Sequence, residues 1–591
     1  MYTEVKSYQF LIALLKKYNI KHCVLSAGSR NVPFVHSVEE DSYFKCYSVV
    51  DERSAGYFAL GLAQQLNEPV VISCTSSTAT CNYWPPVAEA FYQGVPIIVL
   101  TSDRDPEMLG QWEDQMIDQV GMYDRHVKKS VNLPIINNKN DEIYCQRLIN
   151  EALLELNHNG STGPVHINIP TNTYNRTFNT PKLPEVTKIE RLSLINEDER
   201  WKEKVKKLKN TKRILITCGQ KNYASEKLKN EIKDFFKNYN SAIVVDYMSN
   251  LDLENGINTT VCMDSRYTSR DKTKELLPEI VISFGGQIFS GIKEQLRNFR
   301  GNFEHWLIEE DGHVVDLYKS ITTIFECTPE YFFSYCNKNI DKQQNNNLEY
   351  YNLLKKYENS IVIPEFGYSN VYAIKNVVER IPSNSILHLS INDSIRITNF
   401  FKLNSNIRTY ANIGTHGIDG CLSSFLGQAT ATSKESFLII GDLAFFYDMN
   451  ALKIKHIEKN VHILLINNHG GSEFYFNSIW QNEASDLHTA ARHNTTAEGW
   501  VKSNNFIYLS ANDKKSFEEN LEKFMSLEND KPIFFEVFTE MKTDAEEIHN
   551  FFGLSRPKDF KSETLRKGKE FVKKYIGQEK AKKIFEMLKK W

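Results

Sequence analysis

The 591-residue sequence lacks the marks of several protein classes. Its 71 Lys and Arg nearly balance 74 Asp and Glu, so no bulk charge draws it to nucleic acid. Its ten cysteines form no CxxC pair and no metal-ligand spacing, which points to reduced thiols in a cytoplasmic setting rather than a disulfide framework. No apolar run approaches the roughly 18 residues that a membrane helix needs, and Met1 to Lys16 lack the apolar core of a leader. What remains is a chain long enough for about three or four domains.

One stretch stands out for chemistry, Leu438 to Phe476. Leu438-Ile439-Ile440 form a short apolar run that stops at Gly441-Asp442, and Ile463 to Ile466 form a second that stops at Asn467-Asn468. A helix predicted over roughly Asp448 to Lys459 between them makes a βαβ crossover, a unit that binds ligands where its parallel strands end. Asp442 and Asn468, 26 positions apart, bring a carboxylate and an amide oxygen to that edge. His469-Gly470-Gly471 lets backbone approach closely, so the Gly470 carbonyl can add a third oxygen. A hard cation such as Mg²⁺ (or Mn²⁺) takes such a set together with phosphate. The spacing is similar to the GD-(about 26)-NN signature of thiamine diphosphate enzymes, in which the metal clamps the cofactor's diphosphate. That resemblance also makes Gly441, Leu443 and Ala444 cofactor-binding positions.

Strand and helix alternate from end to end, which predicts an α/β fold of three doubly wound domains. Residues 1–185 form the first, with strands over His22–Leu25, Tyr47–Val50, Val70–Ser73, Val95–Thr101 and Val165–Ile169. A proline-punctuated segment leads to a second unit at 194–335, whose first strand is followed by no GxGxxG, so no dinucleotide is assigned to it. An Asn- and Gln-rich linker precedes the third unit at 350–555. Residues 556–591 carry 13 Lys or Arg against five acids with apolar residues at helical spacing. They read as two short helices packed on the body, with a weak peripheral contact to an anionic surface as the sharper alternative.

Thiamine catalysis needs a carboxylate beside the aminopyrimidine ring, where it shares a proton with N1′. Glu52, at a strand end and on a helix N-terminus, suits that role. Read alone, Asp51-Glu52-Arg53 would be an acidic helix start paired with arginine.

VVDERSAGYFALGLA (Val49 to Ala63), CTSSTATCNYWPPVAEA (Cys74 to Ala90), VPIIVLTSDRDPE (Val95 to Glu107), DQMIDQVGMY (Asp114 to Tyr123), GIDG (Gly417 to Gly420) and GDLAFFYDMNAL (Gly441 to Leu452) resemble the MenD family. Its members are the carboligases of the menaquinone pathway. The likeness covers the first and third domains well and the middle one weakly. It implies pyrimidine-binding, central and diphosphate-binding domains, and a homodimer or dimer of dimers in which Glu52 of one subunit faces Asp442 and Asn468 of the other. It implies that Ile418 is the apolar wedge that bends the cofactor, although a plain core isoleucine fits the sequence equally well. The family reaction is decarboxylation of 2-oxoglutarate and conjugate addition of the remaining carbon unit to isochorismate. By the same resemblance Ser29, Arg30, Arg104 and Gln115 line the substrate pocket, and Asn392 with Arg396 meets the donor acid. Each arginine could instead be a surface or inter-domain ion pair.

Four differences fall where the acceptor should bind. The family's Asn-Arg-Gly is here Asn412-Ile413-Gly414. Its Lys-Arg pair falls on Gly291-Ile292, with Lys293 beside it. Its Ile-Phe after the double glycine is Glu473-Phe474, and His416 replaces a small residue. Lost cations and an added acid predict a pocket better suited to hydroxyl or amino groups than to a dicarboxylate, which makes a sugar-like acceptor an alternative to isochorismate. Simple 2-oxo acid decarboxylation, and a non-catalytic cofactor-binding scaffold, are the other readings.

Overall fold

The computed structural model describes residues 1–158, 160–172, 177–189, 200–258, 263–264, 268–312, 315–340, 348–476 and 484–554. The basic tail at 556–591 and the Asn/Gln-rich segment at 343–347 lie outside the described residues. Among those described, no helix is long and apolar enough to cross a membrane.

Three six-stranded sheets are built of parallel strands flanked by helices. Their strands read as continuous apolar runs because both faces are covered, as in Val70–Cys74, Ile280–Phe284 and Val461–Asn467, all buried throughout. With each sheet's strands numbered along the chain, the first and third share the order 2-1-3-4-6-5. The middle sheet runs 3-2-1-4-5-6, the order of doubly wound nucleotide-binding folds. The outer two units are therefore the same architecture used twice, with a different one between them.

The outer units pack face to face through the helices Glu52–Leu66 and Cys421–Thr430. Phe58 and Leu62 from one and Leu422, Phe425 and Leu426 from the other share a single core. Two glycines set how close these helices come. A Cβ on Gly61 would strike the Ser424 carbonyl, and one on Gly427 would strike the Phe58 carbonyl, so any larger residue would push the backbones apart. Along the same seam buried amides run in sequence. Gln428 Nε2 donates to Gln64 Oε1 at 2.8 Å, and Gln64 Nε2 to Gln93 Oε1 at 2.8 Å.

Several boundaries shift from the sequence expectation for local reasons. The strand expected over Tyr47–Val50 is Lys45–Ser48, because Asp51 caps the next helix by accepting the Ser54 N–H at 3.1 Å. The helix expected over 448–459 starts at the strand end and spans Asp442–Asp448, followed by a 3-10 turn at Met449–Lys453. Asp442 at the helix N-terminus favours that earlier start. The helix Glu349–Asn359 buries Tyr350 and Leu354 in the core of the middle unit, so that unit continues past residue 350.

Candidate active site

Register places the third unit's functional groups side by side. The strands Ser436–Gly441 and Val461–Asn467 pair in parallel, with Gly441 opposite Ile466, so both end at one edge of the sheet. Asp442 emerges from the first with 2% exposure. Its Oδ2 accepts the Gly470 N–H at 3.0 Å and its Oδ1 accepts the Leu443 N–H at 2.6 Å. His493 Nε2 lies 3.2 Å from the same Oδ2. Gly470 holds φ +150°, and a Cβ there would crowd the Ala490 carbonyl and Met541 Sδ, so its backbone can come this near Asp442 only as glycine.

Asn468 leaves the second strand buried, and its Nδ2 donates to Asp544 Oδ2 at 3.0 Å. Asp544 also accepts the Asn370 N–H at 2.8 Å and the Thr539 hydroxyl at 2.7 Å. Burial raises its pKa to about 7, while these donors pull the other way.

The donor set expected from the sequence is all oxygen: the Asp442 carboxylate, the Asn468 amide and the Gly470 carbonyl. That is the chemistry of a hard divalent cation whose remaining ligands come from phosphate. No group of three or more His, Cys, Asp or Glu that could hold a metal occurs among the described residues, as expected when two of the three donors are amide and backbone oxygens. Beside them Gly441 opens onto space, since a Cβ there would meet nothing within 4 Å. A diphosphate carrying Mg²⁺ fits these residues. Leu443 is half-buried and Ala444 buried at the start of the same helix.

Arg396 and Glu473, expected on the substrate side, bind each other. Arg396 Nη1 and Nη2 reach the two Glu473 oxygens at 2.7 and 3.2 Å, and Nη1 also pairs with Asp393. Ser472 Oγ donates to Asp393 Oδ2 at 2.8 Å, which ties the group to the Gly470-Gly471 turn. Asn392, with φ +64°, turns the chain into the short helix Asp393–Thr398 that carries Arg396. Glu473 is thus not a spare acid, because the guanidinium 2.7 Å away balances it. This corrects the sequence reading, in which Glu473 added negative charge to the pocket.

The first unit gathers another set at the carboxyl edge of its own sheet. Glu52 is half-buried at the start of its helix, and Asn82 Nδ2 lies within 3.4 Å of its Oε2. The Arg30 N–H reaches Thr75 Oγ1 at 3.3 Å, and Ser76 Oγ donates to the Gln115 carbonyl at 3.0 Å. These contacts bring Ser29, Arg30 and Gln115 around the Thr75-Ser76 turn. The Gln115 side chain is exposed, and Arg104 is engaged by Glu113, the ion pair that sequence reasoning had set beside a substrate role. Within one chain Glu52 also neighbours the third unit. Arg53 Nη2 donates to the Tyr447 carbonyl at 2.6 Å and Ser54 Oγ to Asp448 Oδ1 at 3.2 Å. Asp448 is one seven-residue helix away from Asp442, about 9 Å along the axis.

Ile418 packs against the cores of both outer units, in the loop that also presents His416. His416 is exposed, has φ +57°, and stacks on Phe289 of the middle unit with centroids 5.8 Å apart. All three units hold this loop. Glu89 accepts the Gly414 and Thr415 N–H groups at 2.9 and 2.6 Å, and the Thr415 hydroxyl as well. Gln220 and Gln287 donate to the Ala411 and Gly414 carbonyls, each at 2.7 Å.

Sequence reasoning missed Glu89, His493 and Asp544. Each acts across a distance in sequence of 51 to 326 residues, and none sits in a spacing pattern that would separate it from other acids and histidines.

Residues 5–122 match the family described as "Thiamine pyrophosphate enzyme, N-terminal TPP binding domain". Over 557 residues the chain is 37% identical to the 2-succinyl-5-enolpyruvyl-6-hydroxy-3-cyclohexene-1-carboxylate synthase of Bacteroides thetaiotaomicron, covering 93% of this chain and 99% of that protein. It is 33% identical over 573 residues to the enzyme of the same name from Flavobacterium psychrophilum, with 93% and 99% covered. Among solved structures it is similar in fold to benzoylformate decarboxylase from Polynucleobacter necessarius, with a TM-score of 0.68, 14% identity, and 92% of this chain and 99% of that one covered.

Proposed function

The chain belongs to the 2-succinyl-5-enolpyruvyl-6-hydroxy-3-cyclohexene-1-carboxylate synthase family of thiamine diphosphate enzymes, and from that premise we propose that it decarboxylates a 2-oxo acid and joins the remaining carbon unit to an acceptor, with Mg²⁺ anchoring the cofactor. The observation that carries this reading is the meeting of Asp442, Asn468 and Gly470 at one sheet edge, beside the open space at Gly441.

When bound, thiamine diphosphate supplies the electron sink that takes up the pair released as CO₂ departs. The residues then divide the work. Asp442, the Asn468 amide oxygen and the Gly470 carbonyl would hold the metal. Ile418 would give the cofactor an apolar support. Glu52 would share a proton with the aminopyrimidine nitrogen, the task of a half-buried carboxylate at a helix start. In a homodimer, or a dimer of dimers, Glu52 of one subunit serves the cofactor held by the other. The setting is the cytoplasm, in keeping with the free thiols among the described residues.

The relatives' names describe a succinyl group on a cyclohexene carboxylate. A succinyl unit arises when 2-oxoglutarate loses CO₂, so that acid is the donor of choice, with isochorismate as acceptor. Arg396 is the group suited to the donor's far carboxylate. Glu473 already occupies it, so the donor must displace Glu473 or share the guanidinium with it.

A second reading, a less anionic and polyhydroxylated acceptor, is favoured by the His416–Phe289 stack where the family carries a small residue. Incubation of the protein with thiamine diphosphate, Mg²⁺, 2-oxoglutarate and isochorismate, followed by mass spectrometry, decides between them. Stoichiometric adduct is the expected result. CO₂ release with isochorismate unconsumed would reject isochorismate as acceptor, and no CO₂ release from any 2-oxo acid would reject the reaction.

A further inference from the structure

Asn468 can offer a metal either its oxygen or its NH₂ group, and only the oxygen suits a hard cation. Something must choose the face. The two ends of the amide point in different directions, so fixing one fixes the other. The NH₂ end is fixed here by Asp544, which is completely buried on the helix Met541–Leu554 that follows the last strand. Asp544 is itself locked by the Asn370 N–H on Oδ1 and the Thr539 hydroxyl on Oδ2. With three donors converging on it, it acts as an acceptor.

We propose that Asp544 is a positioning residue that holds the Asn468 amide so that its oxygen, not its nitrogen, faces the cation. The inference rests on the metal site of the proposed function. It concerns a buried residue 76 positions beyond the ligand, joined to it by one hydrogen bond. Partners that orient a ligand in this way commonly account for about 10–100-fold in metal affinity.

Asp544→Asn changes one oxygen to NH₂ at nearly constant volume. The Asn370 N–H can only donate, so it takes the new amide's oxygen and the new NH₂ faces Asn468. Two NH₂ groups then oppose each other, and Asn468 turns its oxygen away from the metal.

The test is Mn²⁺ binding in the presence of thiamine diphosphate, followed by the loss of the free-ion electron paramagnetic resonance signal, with circular dichroism reporting the fold. Asp544→Asn is expected to weaken Mn²⁺ binding by about 10–100-fold. Combining it with Asn468→Asp should restore most of that loss, because the carboxylate introduced by the second change can accept from the new amide and still present an oxygen to the metal. A merely structural role gives no such rescue. Thr539→Val, which removes a different donor from the same Oδ2, should stay within about threefold of wild type.

Wild-type affinity in a folded Asp544→Asn protein would overturn the proposal, as would failure of the double variant to bind better than the single one. If the unmutated protein bound no Mn²⁺ with the cofactor, the metal site itself would fall, a result distinct from either.

Discussion

Glu89 reaches from the first unit into the third and takes both the N–H and the hydroxyl of Thr415, the N–H at 2.6 Å, with no exposure to solvent. Its other oxygen takes the Gly414 N–H at 2.9 Å. Burial pushes its pKa up, against the pull of these donors. The clamp fixes the loop that continues into His416 and Ile418, so an acid of one unit sets the position of a loop in another.

Glu89→Ala should leave the Gly414 and Thr415 N–H groups without a partner. At about 1–3 kcal/mol for each orphaned buried donor, the loop should open locally. Hydrogen exchange at residues 411–420 is the measurement, and faster exchange confined to that segment is the expected outcome. Unchanged protection there would show that Gln220 and Gln287 hold the loop by themselves.

Glu52→Gln should leave cofactor binding near normal while turnover falls by about 10²–10⁴-fold, the range of a lost general acid–base group. Asp442→Ala should instead abolish metal-dependent cofactor binding. If the sites are shared between subunits, the two inactive proteins complement each other when their subunits are exchanged. Each mixed dimer then carries one site with both defects and one with neither, and about a quarter of wild-type activity returns on random mixing. No recovery after verified exchange would place each site within a single chain, where Arg53 and Ser54 already bring the Glu52 helix to Tyr447 and Asp448.

Much of this arrangement was legible in the sequence because it depends on local chemistry. A strand that stops at Gly-Asp, a second that stops at Asn-Asn, and a glycine that lets backbone approach can be read from spacing. The structure brings Asp442 and Gly470 within a hydrogen bond of 3.0 Å. What stayed hidden depends on long-range contact. The Arg396–Glu473 pair spans 77 residues, and read separately its members looked like a carboxylate receptor and an added negative charge. The helix over Asp442–Asp448 was expected several residues too late, because periodicity could not reveal that Asp448 turns inward to bind Ser423 and Ser54.

Arg396→Met should raise the KM for a dicarboxylic 2-oxo acid by about 10–100-fold, the equivalent of one charge-assisted hydrogen bond at about 1.5–3 kcal/mol. It should leave the KM for a 2-oxo acid without a second carboxylate nearly unchanged. Glu473→Gln weakens the grip on the same guanidinium and should lower the KM for the dicarboxylic donor. Steady-state kinetics with 2-oxoglutarate and pyruvate separates the two cases. Equal effects on both donors would remove Arg396 from carboxylate recognition and leave the ion pair a structural one.

Asp448 gives the fold a pH dependence of its own. It is fully buried, and loss of solvent raises its pKa to about 7 despite donors from the Ser423 N–H and hydroxyl and from Ser54. An unfolded aspartate titrates near 3.9. Between those values the folded chain keeps a proton that the unfolded chain has lost, so stability falls as pH rises from about 4 to 7 and is level above that. The span of about three units corresponds to at most roughly 4 kcal/mol at 1.36 kcal/mol per unit. Asp448→Asn keeps the shape and the capacity to bond both serines but cannot ionise. The melting temperature of the variant relative to wild type should therefore climb by several degrees as pH is raised from 4.5 to 7.5 (an interval that brackets the titration). A difference that is flat across that range would mean that the carboxylate ionises at its ordinary pKa, with the two serines and Arg53 offsetting its burial.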